Sequence, residues 1–130
     1  MTHFLSLFAS AFAVFAVFDF FFITYVVTRL YRSKIPELLS EKFALFPALA
    51  FYVIYIAGIV YFAIMPALKT GSWTTAFVQG ALLGGFAYAT FTLTNMAILK
   101  NWPLTIVISD IVWGMVLTGA VAAIVVWFFK

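Results

Sequence analysis

TNMAILKNWPLTIVISD, residues 94–110, joins two apolar runs through one short turn, with an Asn just before the turn and an Asp soon after it. Followed outward, the runs cover about 76–99 and about 103–129, each long enough to cross a bilayer core. The turn Lys100-Asn101-Trp102-Pro103 supplies Asn101 and Pro103, both good helix-start residues. Two earlier stretches repeat the pattern, about 4–28 and about 47–64, the second closed by Pro66. The chain is 130 residues long, 67% hydrophobic and 8% charged, with a mean hydropathy of +1.20. A soluble globule of this size cannot hide that much apolar surface. The fold class expected is therefore all-α: an integral membrane four-helix antiparallel bundle forming one transmembrane domain over 1–130. Its short turns make sequential helices neighbours.

The first run has no positively charged leader and is too long for a signal peptide, so it reads as a retained span. Between the first two spans, Arg29 to Lys42 is polar. Ile35, Leu38, Leu39 and Phe43 fall at helical spacing there, and Pro36 suits a first turn, which predicts a short interfacial helix on the cytoplasmic surface. Arg29, Arg32, Lys34, Lys42 and Lys100 fall on one side of the bundle, Lys69 and Lys130 on the other. That asymmetry places the first group in the cytoplasm and both termini outside, in a bacterial inner membrane. Tyr31 and Trp102 then read as anchors of the inner interface, Trp73 and Trp127 of the outer one.

Polar residues inside the spans gather at similar depth. Counting ~1.5 Å per residue from the charged turns, Asn95 lies about 8 Å inside the cytoplasmic boundary, Asp110 about 10 Å, Tyr55 and Thr92 about 12 Å, and Asp19 about 15 Å. Each helix also has one polar or small-residue stripe: Ala81, Gly84, Gly85, Tyr88, Thr92 and Asn95 on the third span; Asp110, Trp113, Gly114 and Leu117 on the fourth; Tyr52, Tyr55 and Gly58 on the second. Unpaired polar groups in lipid are costly, so these stripes turn inward. Asp19, Tyr52, Tyr55, Tyr88, Thr92, Asn95, Asp110 and Trp113 are the candidate lining of a polar pocket opening toward the cytoplasm, with Asn95 and Asp110 meeting across their shared turn. Structural readings stand beside this one. Gly80 and Gly84, with Gly85 and Gly114, are a small-residue packing surface. Asn95 can be an interhelical hydrogen bond, the Tyr hydroxyls can be satisfied at the interface, and either Asp can be a protonated partner of a carbonyl. The 17 Phe residues read as lipid-facing filler.

The signature YAT…LTN…LKNWP…D…WG, together with Asp19 and the run FYVIYIAGIVYF, resembles a family of small bacterial four-helix predicted membrane proteins, domain of unknown function family 2177. The resemblance covers essentially the whole chain and implies a four-helix inner-membrane protein without implying an activity. Two positions depart from the family's usual pattern: Thr92, where an acidic residue is usual, and Phe22, where a Trp commonly follows the first Asp.

With no Cys and a lone His3, neither a thiolate nor a His-based metal site is expected, and no cofactor. The net charge of +3 sits in juxtamembrane turns, which argues against nucleic acid. Expected partners are the lipid bilayer and either a second copy of the chain or a larger membrane complex. Three functions follow. The first is a pocket that binds a small molecule, lipid headgroup or proton for transport or sensing, for which small four-helix exporters with one membrane acid in the first helix are an architectural analogy. The second is an accessory or assembly subunit whose stripes only fasten helices. The third is a lipid-modifying enzyme, which two carboxylates without a nucleophile–base pair support least.

Overall fold

The computed structural model describes residues 2–34 and 45–130. Helix α1 (Thr2–Phe22) continues without a break through a π-helical stretch (Ile23–Tyr31) into α2 (Arg32–Lys34). The second span is α3 (Leu45–Ile59), a second π-helical stretch (Val60–Ile64) and α4 (Met65–Leu68). Helices α5 (Trp73–Ile98) and α6 (Leu104–Phe129) form the third and fourth spans. Among the described residues four helices are long and apolar enough to cross a membrane: His3–Lys34, Leu45–Leu68, Trp73–Ile98 and Leu104–Phe129. Large apolar side chains such as Phe46, Phe86, Ile98 and Phe128 are left on the outside, which suits a surface solvated by lipid tails.

The bundle is built around α6. Half of its apolar window is buried, 50% against 17–28% for the other spans. Helix α5 packs along it more extensively than any other two elements pack, and α1 packs on both α6 and α3. Glycines allow the α5–α6 approach. A Cβ on Gly84 would fall 2.0 Å from the carbonyl oxygen of Gly114, and one on Gly80 would fall 2.6 Å from that of Thr118. Both are far inside contact distance, so side-chain bulk at either position forces the helices apart. A Cβ on Gly119 would stand 3.0 Å from the Phe77 carbonyl oxygen, a tight contact but a milder one. As the number rises on α5 it falls on α6, so the pair is antiparallel. The remaining core is aliphatic and aromatic: Leu7, Ala11 and Phe15 of α1 close on Ile56, Ile59 and Val60 of the second span and on Leu117 and Val121 of α6.

The second span meets α5 chiefly through Val60–Ile64 and α4, at the end that carries Lys69, rather than through α3. The two spans therefore close at one end and part toward the other. His3 and Phe129 rings lie 6.3 Å apart at the closed end, where a Cβ on Gly71 would stand 3.8 Å from that of Lys130. Both chain ends and the Lys69 turn thus share one face of the bundle, and Arg29, Arg32, Lys34 and Lys100 belong to the opposite one.

Several boundaries differ from the sequence reading. The first helix does not stop at Thr28 but runs to Lys34, so its basic residues ride on its last turns and its length exceeds the ~30 Å hydrocarbon core. The proposed interfacial helix with Ile35, Leu38, Leu39 and Phe43 lies outside the described residues. Pro66 does not close the second span: the helix widens into π turns over Val60–Ile64 and carries on to Leu68. Pro66 has no N–H to donate and its ring crowds the preceding turn, a strain that a wider turn relieves. The third span begins at Trp73 rather than Ala76 because Ser72 caps it, its Oγ accepting from Thr75 N–H at 3.1 Å. Asn101 is not a cap. It takes the left-handed conformation (φ 63°) that reverses the chain, and Pro103 stands at the N-cap, its carbonyl accepting from Ile106 and Val107. Nor are the Phe residues only filler, since Phe15 is completely buried.

Candidate functional site

Each membrane carboxyl group is held by a phenol from another part of the chain. The Tyr52 hydroxyl on α3 donates to Asp19 Oδ2 on α1 at 2.5 Å. The Tyr31 hydroxyl donates to Asp110 Oδ1 on α6 at 2.6 Å. The π-helical stretch explains how Tyr31 comes to face α6. Twelve residues of ordinary α-helix, at ~100° each, would carry it about 120° round the helix from Asp19. The wider π turns wind less per residue and bring it back toward the side that meets α6.

A third bond, 2.7 Å between the Tyr55 hydroxyl and Thr118 Oγ1, ties α3 to α6. A fourth, 3.0 Å from the Trp102 indole N–H to Thr92 Oγ1, ties the turn to α5. The Tyr31 and Trp102 rings meet edge to face at 5.9 Å, so the two residues read as interface anchors turn their polar atoms inward instead. Thr92 is fully buried and close to the Asp110 carboxylate.

Between the two acids stand Tyr88 and Trp113. Tyr88 lies within electrostatic reach of Asp19, Tyr52, Tyr55 and Asp110 at once. Its ring fills the notch left by Gly114, where a Cβ would be 2.3 Å from Tyr88 Cγ. Trp113 stacks flat on Phe22, ring centres 4.6 Å apart and 5° from parallel, and its indole approaches Asp19 without closing a hydrogen bond. Among the described residues two polar atoms, Asp110 Oδ2 and Trp113 Nε1, are buried without a hydrogen-bond partner. Buried orphans of this kind are uncommon in folded proteins and cost on the order of 1–3 kcal/mol each.

A cavity of about 440 Å³ lies in the wedge between the second and third spans, lined by Asp19, Phe51, Tyr55, Ala87, Tyr88 and Phe91. Of the residues singled out in the sequence, Asp19, Tyr55 and Tyr88 are on its wall, and Tyr52 holds Asp19 from beside it. Asp110, Thr92 and Trp113 are not on that wall; Asp110 and Thr92 belong to an adjoining buried cluster with Tyr31 and Trp102. Asn95 is half-buried, its carbonyl accepts from Leu99 N–H at 2.8 Å, and among the described residues no side-chain bond joins it to Asp110. Gly85 is the loosest of the four packing glycines, a Cβ there meeting only the flexible Met115 at 3.1 Å.

Sequence reasoning missed Thr118, Phe51 and the donor roles of Tyr31 and Trp102. Thr118 was detectable, because it extends the Asp110, Gly114 stripe by one further helical turn; the π winding that aims Tyr31 had no signal. Among the described residues no group of three or more His, Cys, Asp or Glu gathers. The polar cluster brings neither Cys nor His to either acid. What it can do is hold a proton or a cation at either carboxylate.

The family model described as "Predicted membrane protein (DUF2177)" matches residues 4–127, and the chain belongs to that family. The comparisons with curated proteins and with solved structures return no match.

Proposed function

We propose that this member of the DUF2177 family holds a small-molecule site inside the membrane, in the wedge between the second and third spans, and uses its loading for transport or sensing. One observation carries the reading: Asp19, an ionisable group near mid-bilayer depth, gives one oxygen to Tyr52 and stands on the wall of a cavity. A charged residue at helix centre costs about 2.5–3.5 kcal/mol on insertion scales, and a carboxylate that served only to fasten helices would be sealed among its partners. The accessory-subunit reading explains the Tyr31–Asp110, Tyr55–Thr118 and Trp102–Thr92 bonds as fasteners; it leaves Asp19 beside a cavity unexplained. A lipid-modifying activity lacks a nucleophile–base pair in the polar cluster.

In this reading the protein sits in a bacterial inner membrane. The end bearing Arg29, Arg32, Lys34 and Lys100 faces the cytoplasm, both termini lie outside, and the cavity is in the cytoplasmic half. Lipid surrounds the bundle, and a second copy or a larger membrane complex completes its assembly. The test is uptake or proton flux in proteoliposomes of purified protein, compared with the Asp19→Asn variant. Flux or uptake that depends on Asp19 supports the reading; protein that moves and binds nothing in either form points to the accessory role.

A further inference from the structure

The walls of the cavity specify a charge and a shape. Its lining contributes one carboxylate, Asp19, and the aromatic side chains of Phe51, Tyr55, Tyr88 and Phe91, with Ala87 leaving room between them. Phe51 and Tyr55 stack at 5.3 Å, 13° from parallel, and the Tyr88 ring stands 6.1 Å from Tyr55 at 67°, so the rings present walls in two orientations. Ring faces attract a cation within about 6 Å of their centres, and aromatic cages of this kind recognise quaternary ammonium groups. Among the described residues the lining carries no Lys, Arg or His, so it offers no cation to partner a phosphate or a carboxylate. At about 440 Å³ the cavity is in the range that takes a drug-sized ligand. Phe51 and Phe91 are about half exposed at its edge, 44% and 50%, which leaves a sideways approach from the lipid.

We infer that the ligand is a lipophilic organic monocation without an anionic group, entering between the second and third spans and balancing its charge on Asp19. This rests on the pocket proposed above and goes beyond it by naming the chemistry. Zwitterionic lipid headgroups are disfavoured by the same lining, since their phosphate would have no cation to meet.

The test uses the full chain in nanodiscs of neutral phosphatidylcholine and three probes of related shape: tetraphenylphosphonium, the anion tetraphenylborate and neutral triphenylphosphine oxide. Binding above that of empty nanodiscs is measured by equilibrium dialysis. Saturable binding of tetraphenylphosphonium is expected. It should weaken at least tenfold in Asp19→Asn, which keeps an oxygen for Tyr52, and disappear in Ala87→Trp, which fills the cavity. Tetraphenylborate should show no saturable binding. Elution profile and helical content establish that each variant is folded. If the neutral probe binds as well as the cation, with loss in Ala87→Trp and no change in Asp19→Asn, the charge assignment is overturned and the pocket stands. If no probe binds in a manner that Ala87→Trp removes, the pocket falls with it. Stronger binding of tetraphenylborate also overturns the inference, because the field in the cavity would then have the opposite sign.

Discussion

Tyr31 reaches Asp110 across 79 positions of sequence, its hydroxyl 2.6 Å from Oδ1, and in doing so it pins the last turns of the first span to the start of α6. Among the described residues the other carboxylate oxygen is buried and unpartnered, so this phenol is the donor that holds Asp110 from the first span. Replacing Tyr31 by Phe keeps the ring against Trp102 and removes only the donor. A buried acceptor left unmet costs about 1–3 kcal/mol, and Tyr31→Phe is expected to lower unfolding free energy in mild detergent by that much. In an Asp110→Leu background the same change should cost almost nothing. A double-mutant cycle with a coupling indistinguishable from zero would show that the bond does not hold in the membrane.

The glycines make a graded series with its own control. Gly84→Ala places a methyl 2.0 Å from the Gly114 carbonyl oxygen, which is backbone and cannot yield without moving α5 off α6. Gly85→Ala meets only Met115, which can rotate away, and Gly58→Ala meets nothing within 4 Å. The expected order of thermal stability is Gly58→Ala at or above the parent, Gly85→Ala slightly below it, and Gly84→Ala lowest by about 2 kcal/mol or more. Gly58→Ala has room to gain because Ala is a better helix former by about 1 kcal/mol. A Gly84→Ala variant as stable as the parent would mean that α5 and α6 do not pack along this face.

The span count, the antiparallel order and the α5–α6 packing face were legible in the sequence because bilayer length and small-residue spacing act through composition alone. Helix ends were less so. Pro66 reads as a stop until the π turns that accommodate it are known, and Asn101 reads as a cap although it makes the left-handed reversal. Depths and faces grouped Asp19, Tyr52, Tyr55 and Tyr88, and these side chains do lie together, three on one cavity wall and Tyr52 bonded to Asp19. Rotation is what depth cannot give: the slower winding of the π turns, accumulated over Ile23–Tyr31, decides that Tyr31 rather than Asn95 meets Asp110.

Asp110→Asn separates shape from charge. The amide oxygen can go on accepting from Tyr31, and the nitrogen brings two donors to the place of Oδ2. Stability should move by less than about 1 kcal/mol. Proton- or ligand-linked transport in proteoliposomes should be lost if the two acids work together through Tyr88 and Trp113, which stand between them. Transport that survives the substitution would restrict the working carboxylate to Asp19 and leave Asp110 a structural partner of Tyr31.

The arrangement of the ends can be tested with cysteines, since the chain has none of its own. A Cβ at residue 71 would lie 3.8 Å from that of Lys130, the mean separation in disulfides. The pair Gly71→Cys and Lys130→Cys should therefore form an intramolecular bridge under mild oxidation, read as a mass loss and a shift in gel mobility reversed by reductant. The left-handed backbone at Gly71 (φ 68°) makes Cys there less comfortable by about 1–2 kcal/mol, so the bridge should form more slowly than an unstrained one. Single cysteines then report sidedness: Lys69→Cys and Lys130→Cys should react alike with a membrane-impermeant maleimide added to intact cells, and Lys34→Cys and Lys100→Cys should react only after the cells are opened. Labelling that groups Lys130 with Lys100 would break the four-span fold. The grouping found here with the sides exchanged would keep the fold and reverse the proposed orientation, placing the Asp19 cavity in the outer half of the membrane.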